Sequence, residues 1–179
     1  MEHLVRDPTP LTRVYHLMAE GTSFKVTVAL RARRVEKWNR GVKRDYLDNA
    51  PIKYVGLDCE FTNPREVDQR IAVLQLSVAS ENLVFQICRA DQVPQALKEF
   101  LQDGSIRLHG SAIGKDVEML IPGTNLEKKK RNKNKKKDTA QEKEDDELIF
   151  GWANVPFSFK QVRCAAMDAR LGFEMARSY

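Results

Sequence analysis

Four acidic residues stand where carboxylates are seldom spare. Asp58 and Glu60 lie two apart in Tyr54-Val-Gly-Leu-Asp-Cys-Glu-Phe61, a segment that otherwise reads as a buried central strand. Strand alternation puts both on one face, about 7 Å apart along the chain, while Val55, Leu57, Cys59 and Phe61 point the other way. Such a pair repels itself without a cation, and a hard divalent ion such as Mg²⁺, which takes oxygen ligands, turns that repulsion into binding. Taken alone, the pair reads equally well as an edge position open to solvent. Asp116, near Ile113, Val117 and Leu120, and Asp168, near Ala165, Ala169 and Leu171, each sit mid-helix beside an apolar side. Three separate elements therefore bring carboxylates to the margin of a core.

The elements that must position these acids follow from periodicity. Ser23 to Arg31 alternates, with Phe24, Val26, Val28 and Leu30 on one face, and reads as the first strand. From Ala32 to Tyr46 the spacing of Val35, Trp38, Val42 and Tyr46 becomes helical, with Arg33, Arg34, Lys37, Arg40 and Arg44 mostly on the outer side. Those basic residues read as a solvated face, or as contacts to phosphate. Tyr54 to Phe61 is a second strand, and Ile71 to Ala79 with Leu83 to Cys88 form an antiparallel hairpin, apolar on both faces. Val93 to Asp103 is a helix, with Pro94 near its first turn and Gly104 past its end. Ile106 to His109 is a short buried strand, whose His109 reads as packed. Ser111 caps a helix that Pro122 stops near Ile121. Ser158 and Gln161 have the spacing of a capping box, with Phe157 and Val162 as its hydrophobic staple. The last helix therefore starts near Phe159, with Cys164 one turn before Asp168 on the same side. Met119 and Met175 read as core filler.

Composition bounds the function classes. The chain has 179 residues, 42% hydrophobic and 31% charged, which suits one globular domain of 23–179 behind an N-terminal segment of 1–22. No run of about 18 apolar residues suggests a membrane span, and the start lacks a signal-peptide pattern, so neither membrane insertion nor secretion is expected. Cys59, Cys88 and Cys164 make neither a disulfide framework nor a thiolate metal site, which leads us to expect reduced thiols in the nucleus or cytoplasm. Net charge is +5, of which Glu127 to Glu147 contributes +2, so the rest is only mildly basic. That lysine-rich stretch has almost no apolar residue, and an insert of about 123–148 is expected to be disordered. Its basic half reads as a solvated linker or as a nuclear-import signal.

Four segments in order, Gly56-Leu-Asp-Cys-Glu-Phe61, Ile71-Ala-Val-Leu-Gln-Leu76, Gly110-Ser-Ala-Ile-Gly-Lys-Asp116 and Cys164-Ala-Ala-Met-Asp-Ala169, resemble the motifs of the DEDD-type 3′ to 5′ exonucleases. Within that family the chain looks like the Werner-syndrome-like and ribonuclease D group, over roughly Ser23 to Ala176. The resemblance implies an α/β fold of ribonuclease-H-like type, a mixed sheet flanked by helices. By motif, Asp58 and Glu60 match the first exonuclease motif, Asp116 the second and Asp168 the third. The family's four acids bind two Mg²⁺ or Mn²⁺ ions and hydrolyse phosphodiester bonds at the 3′ end of DNA or RNA, with the ions activating water and stabilising the leaving oxygen. Lys115, beside Asp116, is a candidate phosphate contact or a solvated neighbour. Two features depart from the family pattern. The third motif carries Cys164 where a tyrosine stands four residues before the aspartate, and Arg163 where the other version has histidine. The segment between the second and third motifs is also short, so helices that flank the substrate groove in relatives are missing. The alternative implied is an exonuclease-fold module that binds nucleic acid or protein without turnover.

Overall fold

The computed structural model describes residues 4–5, 12–62, 70–110, 118, 120 and 146–178. A seven-stranded sheet forms the middle layer, in the order β1-β2-β3-β6-β5-β4-β7. Its strands are β1 (Leu4–Val5), β2 (Thr12–Ala19), β3 (Thr22–Ala29), β4 (Lys53–Phe61), β5 (Ile71–Val78), β6 (Glu81–Phe85) and β7 (Ile106–His109). The β3–β6 and β4–β7 pairs are parallel and the others antiparallel, so the sheet is mixed. Helices α1 (Ala32–Val42) and α2 (Gln95–Gln102) cover one face. The short α3 (Asp146–Phe150) and the long α4 (Phe159–Arg177) belong to the other.

Alternation sorts the strands between these layers. Leu57, Leu74, Leu83 and Phe85 pack with Val35, Trp38, Leu97 and Phe100 on the α1–α2 side. Phe24, Val26, Val84 and Val73 pack with Val162, Ala165 and Ala166 of α4 on the other. Each fully buried large side chain of this kind contributes about 1.5–3 kcal/mol relative to exposure. Near its start β5 carries one extra residue: Glu60 pairs with Val73 but Phe61 with Ile71, leaving Ala72 between them. The bulge explains why Ala72 and Val73 both pack toward α4.

Several elements differ from the sequence reading. The chain ahead of Ser23, read as an N-terminal segment, contributes β1 and β2 to the sheet, and Tyr15 and Leu17 are buried beneath α4. The first helix is α-helical only to Val42; Lys43–Leu47 widen into a π-helical turn that leaves Tyr46 exposed. Met175 is 53% exposed rather than core filler, because the buried stripe of α4 passes through Gly172, Phe173 and Ala176. The helix expected from Ser111 lies outside the described residues except for Glu118 and Leu120, and the lysine-rich insert lies outside them up to Asp146, where α3 begins.

Local chemistry holds the start of α4. The Ser158 hydroxyl accepts from Gln161 N at 3.2 Å while Gln161 Oε1 accepts from Ser158 N at 3.1 Å. Gln161 is itself buried, and its Nε2 donates to the Gly151 carbonyl at 2.9 Å, tying the helix start to the turn before it.

Candidate metal centre

Two glycines decide how closely α4 can lie on the sheet. At Gly56 an added Cβ would run into the Ala169 carbonyl oxygen and come within 2.7 Å of Phe173 N. At Gly172 it would come within 2.6 Å of the His109 carbonyl oxygen. Backbone thus meets backbone at both β4 and β7. The helix runs antiparallel to β4, so going from Gly56 toward Glu60 on the strand means going from Phe173 back toward Cys164 on the helix.

That seating brings Asp168 to the strand acids. One carboxylate oxygen from each of Asp58, Glu60 and Asp168 lies within 4.8 Å of the others. Asp58 and Glu60 face α4, as alternation predicts, and both are partly buried. Asp58 Oδ1 accepts from Cys59 N at 3.0 Å, which fixes one of its oxygens. Burial, and then the Asp58 charge, raise the pKa of Asp168 above the usual carboxylate range, against a smaller lowering by a hydrogen bond from Cys164. The Cys164 thiol donates to Asp168 Oδ2 at 3.5 Å. Burial, reinforced by Asp168, Glu60 and Asp58, pushes that thiol up to about 12, so it stays protonated and is no general base at neutral pH.

The donor set fits a hard divalent cation. It consists of carboxylate oxygens alone, from two rigid elements, within 4.8 Å of one another. Asp58, Glu60 and Asp168 are the residues that would hold such an ion, which when bound supplies a polarised water and charge neutralisation. Asp116 and Lys115, the other two site residues expected from the sequence, lie outside the described residues.

Sequence reasoning missed the ground beside the acids. Gln75 pairs across the sheet with Asp58, Ser77 with Gly56 and Asn82 with Ser77, all within buried strand segments. The side-chain amides of Gln75 and Asn82 and the Ser77 hydroxyl are buried with no hydrogen-bond partner among the described residues. Their signal was present as two polar residues at alternate positions of an otherwise apolar strand.

No family model matches the chain, and no curated protein matches it in sequence. Solved structures do match. The EXO domain of Nibbler from Aedes aegypti superposes with a TM-score of 0.58 at 12% identity, over 84% of either chain. RNase D from Escherichia coli, an exoribonuclease involved in structured RNA processing, superposes with a TM-score of 0.53 at 15% identity. That match covers 83% of this chain but only 43% of RNase D. The chain has the fold of the DEDD-type exonuclease domains. The α/β, ribonuclease-H-like architecture expected from the motifs is therefore the observed one, and β4 with α4 presents three of the four motif acids together. Among the described residues, no helix is long and apolar enough to cross a membrane.

Proposed function

We propose that this chain is a divalent-metal-dependent 3′ to 5′ exonuclease domain that hydrolyses the terminal phosphodiester bond of a DNA or RNA strand. The observation that carries the reading is the convergence of Asp58, Glu60 and Asp168, from a central strand and a helix far apart in sequence, within 4.8 Å. In this reading Asp58 and Glu60 hold metal from the sheet, Asp168 closes the site from α4, and Asp116 completes the set. Phosphodiester hydrolysis needs little further side-chain chemistry once two ions are held about 4 Å apart. Incubating the protein with an end-labelled single strand and Mg²⁺ or Mn²⁺ should give a ladder of shortened products. The absence of a ladder, or one unchanged in Asp58→Asn, would refute the activity.

A second reading, a binding module that has lost turnover, is favoured by one residue. Cys164 stands where the family pattern has a water-positioning tyrosine, and its neutral thiol is a weak, long donor to Asp168. Under this reading the metal still binds and raises the melting temperature, but no ladder forms.

A further inference from the structure

Gln75, in the middle of β5, is fully buried, and neither its Nε2 nor its Oε1 has a hydrogen-bond partner among the described residues. Its neighbours fix its direction. Val73, two residues before it, and Val84, opposite it on β6, pack in the cluster beneath α4, whereas Leu74 and Leu76 pack toward α1 and α2. Gln75 therefore faces α4, on the side of the carboxylates. A buried amide with both groups unpaired is costly, and folded proteins seldom keep one.

The surroundings restrict what can pair with it. To that cluster α4 contributes Val162, Ala165 and Ala166, none with a polar side chain. Directly across the antiparallel pair stands Asp58 of β4. Residues opposed in this way hold their Cβ atoms about 4.5–5.5 Å apart, within the combined reach of a glutamine and an aspartate. Ser77 is two positions along the same strand, ~7 Å away. Asn82 is diagonal to Gln75 on β6, ~7–8 Å away. Both are neutral, whereas a bond to an ionised acceptor is roughly twice as strong as one between neutral groups. An ionised carboxylate offers about four acceptor positions, and on Asp58 the N–H of Cys59 takes one, on Oδ1 at 3.0 Å.

We infer that Gln75 is a positioning residue for the metal centre: its Nε2 donates to the Asp58 carboxylate, directly or through one buried water, and holds that carboxylate in the orientation in which it meets a divalent ion. The inference rests on the reading of Asp58, Glu60 and Asp168 as a metal centre. Carboxylates that ligate a metal are themselves hydrogen-bonded, and loss of such a supporting bond typically costs about 10–100-fold in metal affinity.

Mn²⁺ affinity is measured from the paramagnetic resonance of the free ion, beside the melting temperature in EDTA, for the wild type, Gln75→Met and Asn82→Leu. Methionine keeps the length of glutamine and lacks its donor. Gln75→Met should weaken Mn²⁺ binding about tenfold or more. In EDTA it should melt no lower than the wild type, because an unpaired amide has been removed. Asn82→Leu removes a buried amide of the same kind, out of register with Asp58, and should leave Mn²⁺ affinity unchanged. Circular dichroism checks that each variant is folded, and Gln75→Leu replaces Gln75→Met should that one fail to fold. Unchanged Mn²⁺ affinity in Gln75→Met, an equal loss in Asn82→Leu, a loss accompanied by lower melting in EDTA, or no Mn²⁺ binding by the wild type would each overturn the inference. A protein whose Mn²⁺ binding depends on Gln75 but which never shortens a strand keeps the positioning role and loses the exonuclease reading. Strand shortening by a wild type whose Mn²⁺ affinity Gln75→Met matches does the reverse.

Discussion

The carbonyl oxygen of Ala169 occupies the space into which a side chain on Gly56 would project, so strand β4 and helix α4 touch backbone to backbone one residue from Asp168. Gly56→Ala must push the helix away or distort it. We expect a loss of about 3 kcal/mol or more in urea unfolding, at the upper end for overpacking, together with loss of any metal-induced stabilisation. Gly41→Ala is the control: the site is helical and open, so the same change there should stabilise by about 0.5–1 kcal/mol.

Mutual repulsion among the acids predicts a sign reversal between metal-free and metal-loaded protein. Asp58→Asn keeps an acceptor for Cys59 N but removes the charge that disfavours ionised Asp168. In EDTA the variant should therefore melt slightly higher than the wild type. With Mn²⁺ at a hundred times its dissociation constant, the wild type should gain about 2.7 kcal/mol, or roughly 5–10 °C for a domain of this size, and the variant nearly nothing. A wild type indifferent to Mn²⁺ would sink the metal assignment.

Helix α1 has no cap from its own flanking residue; its first N–H, that of Ala32, is instead bonded by Asp91 Oδ1 at 2.8 Å from 59 residues away. That bond is the main cause holding the Asp91 carboxyl below its ordinary value of 3.8. The folded state therefore binds fewer protons than the unfolded one in the window below 3.8, so the stabilisation is present above that value and is lost as the pH falls through the depressed one. Melting curves from about pH 6 to about pH 2.5 should show a shallower acid limb in Asp91→Asn than in the wild type.

How far these features were legible in the sequence depended on whether their cause was local. The Ser158–Gln161 box was readable because both partners sit within one turn, and Asp58 with Glu60 because alternation alone fixes their face. The approach of Asp168 was implied by the motif resemblance alone, since its physical cause, Gly56 and Gly172 meeting backbones from other elements, is not local. The strand at Thr12–Ala19 escaped notice because Val14 and Met18 put apolar groups on its outward side, which blurs the period of two despite buried Tyr15 and Leu17. The π-helical turn after Val42 was equally hidden, as Tyr46 keeps helical spacing with Val42 yet ends up exposed.

Ser77 is fully buried beside Gly56, and its hydroxyl has no partner among the described residues. Burying a hydroxyl without a bond costs about 1–3 kcal/mol, so Ser77→Ala should leave stability unchanged or raise it by about 1 kcal/mol, against the usual direction for a core substitution. A clear loss in the urea midpoint would mean that the hydroxyl is satisfied in solution.

Cys164 separates the two readings of function. It lies one turn before Asp168 on the side facing Glu60, and its protonated thiol can neither accept a proton at neutral pH nor donate strongly at 3.5 Å. In the exonuclease reading, a tyrosine phenol at this position is the group that orients the attacking water. If the site is otherwise intact, Cys164→Tyr should raise the rate of strand shortening by roughly ten- to hundredfold, the scale on which misplacement of a reacting group acts. The metal-induced melting shift should stay as in the wild type, because no carboxylate has changed. A rate that stays at background while that shift persists would place the deficit in the groove between the second and third motifs, and would favour the binding module over the enzyme.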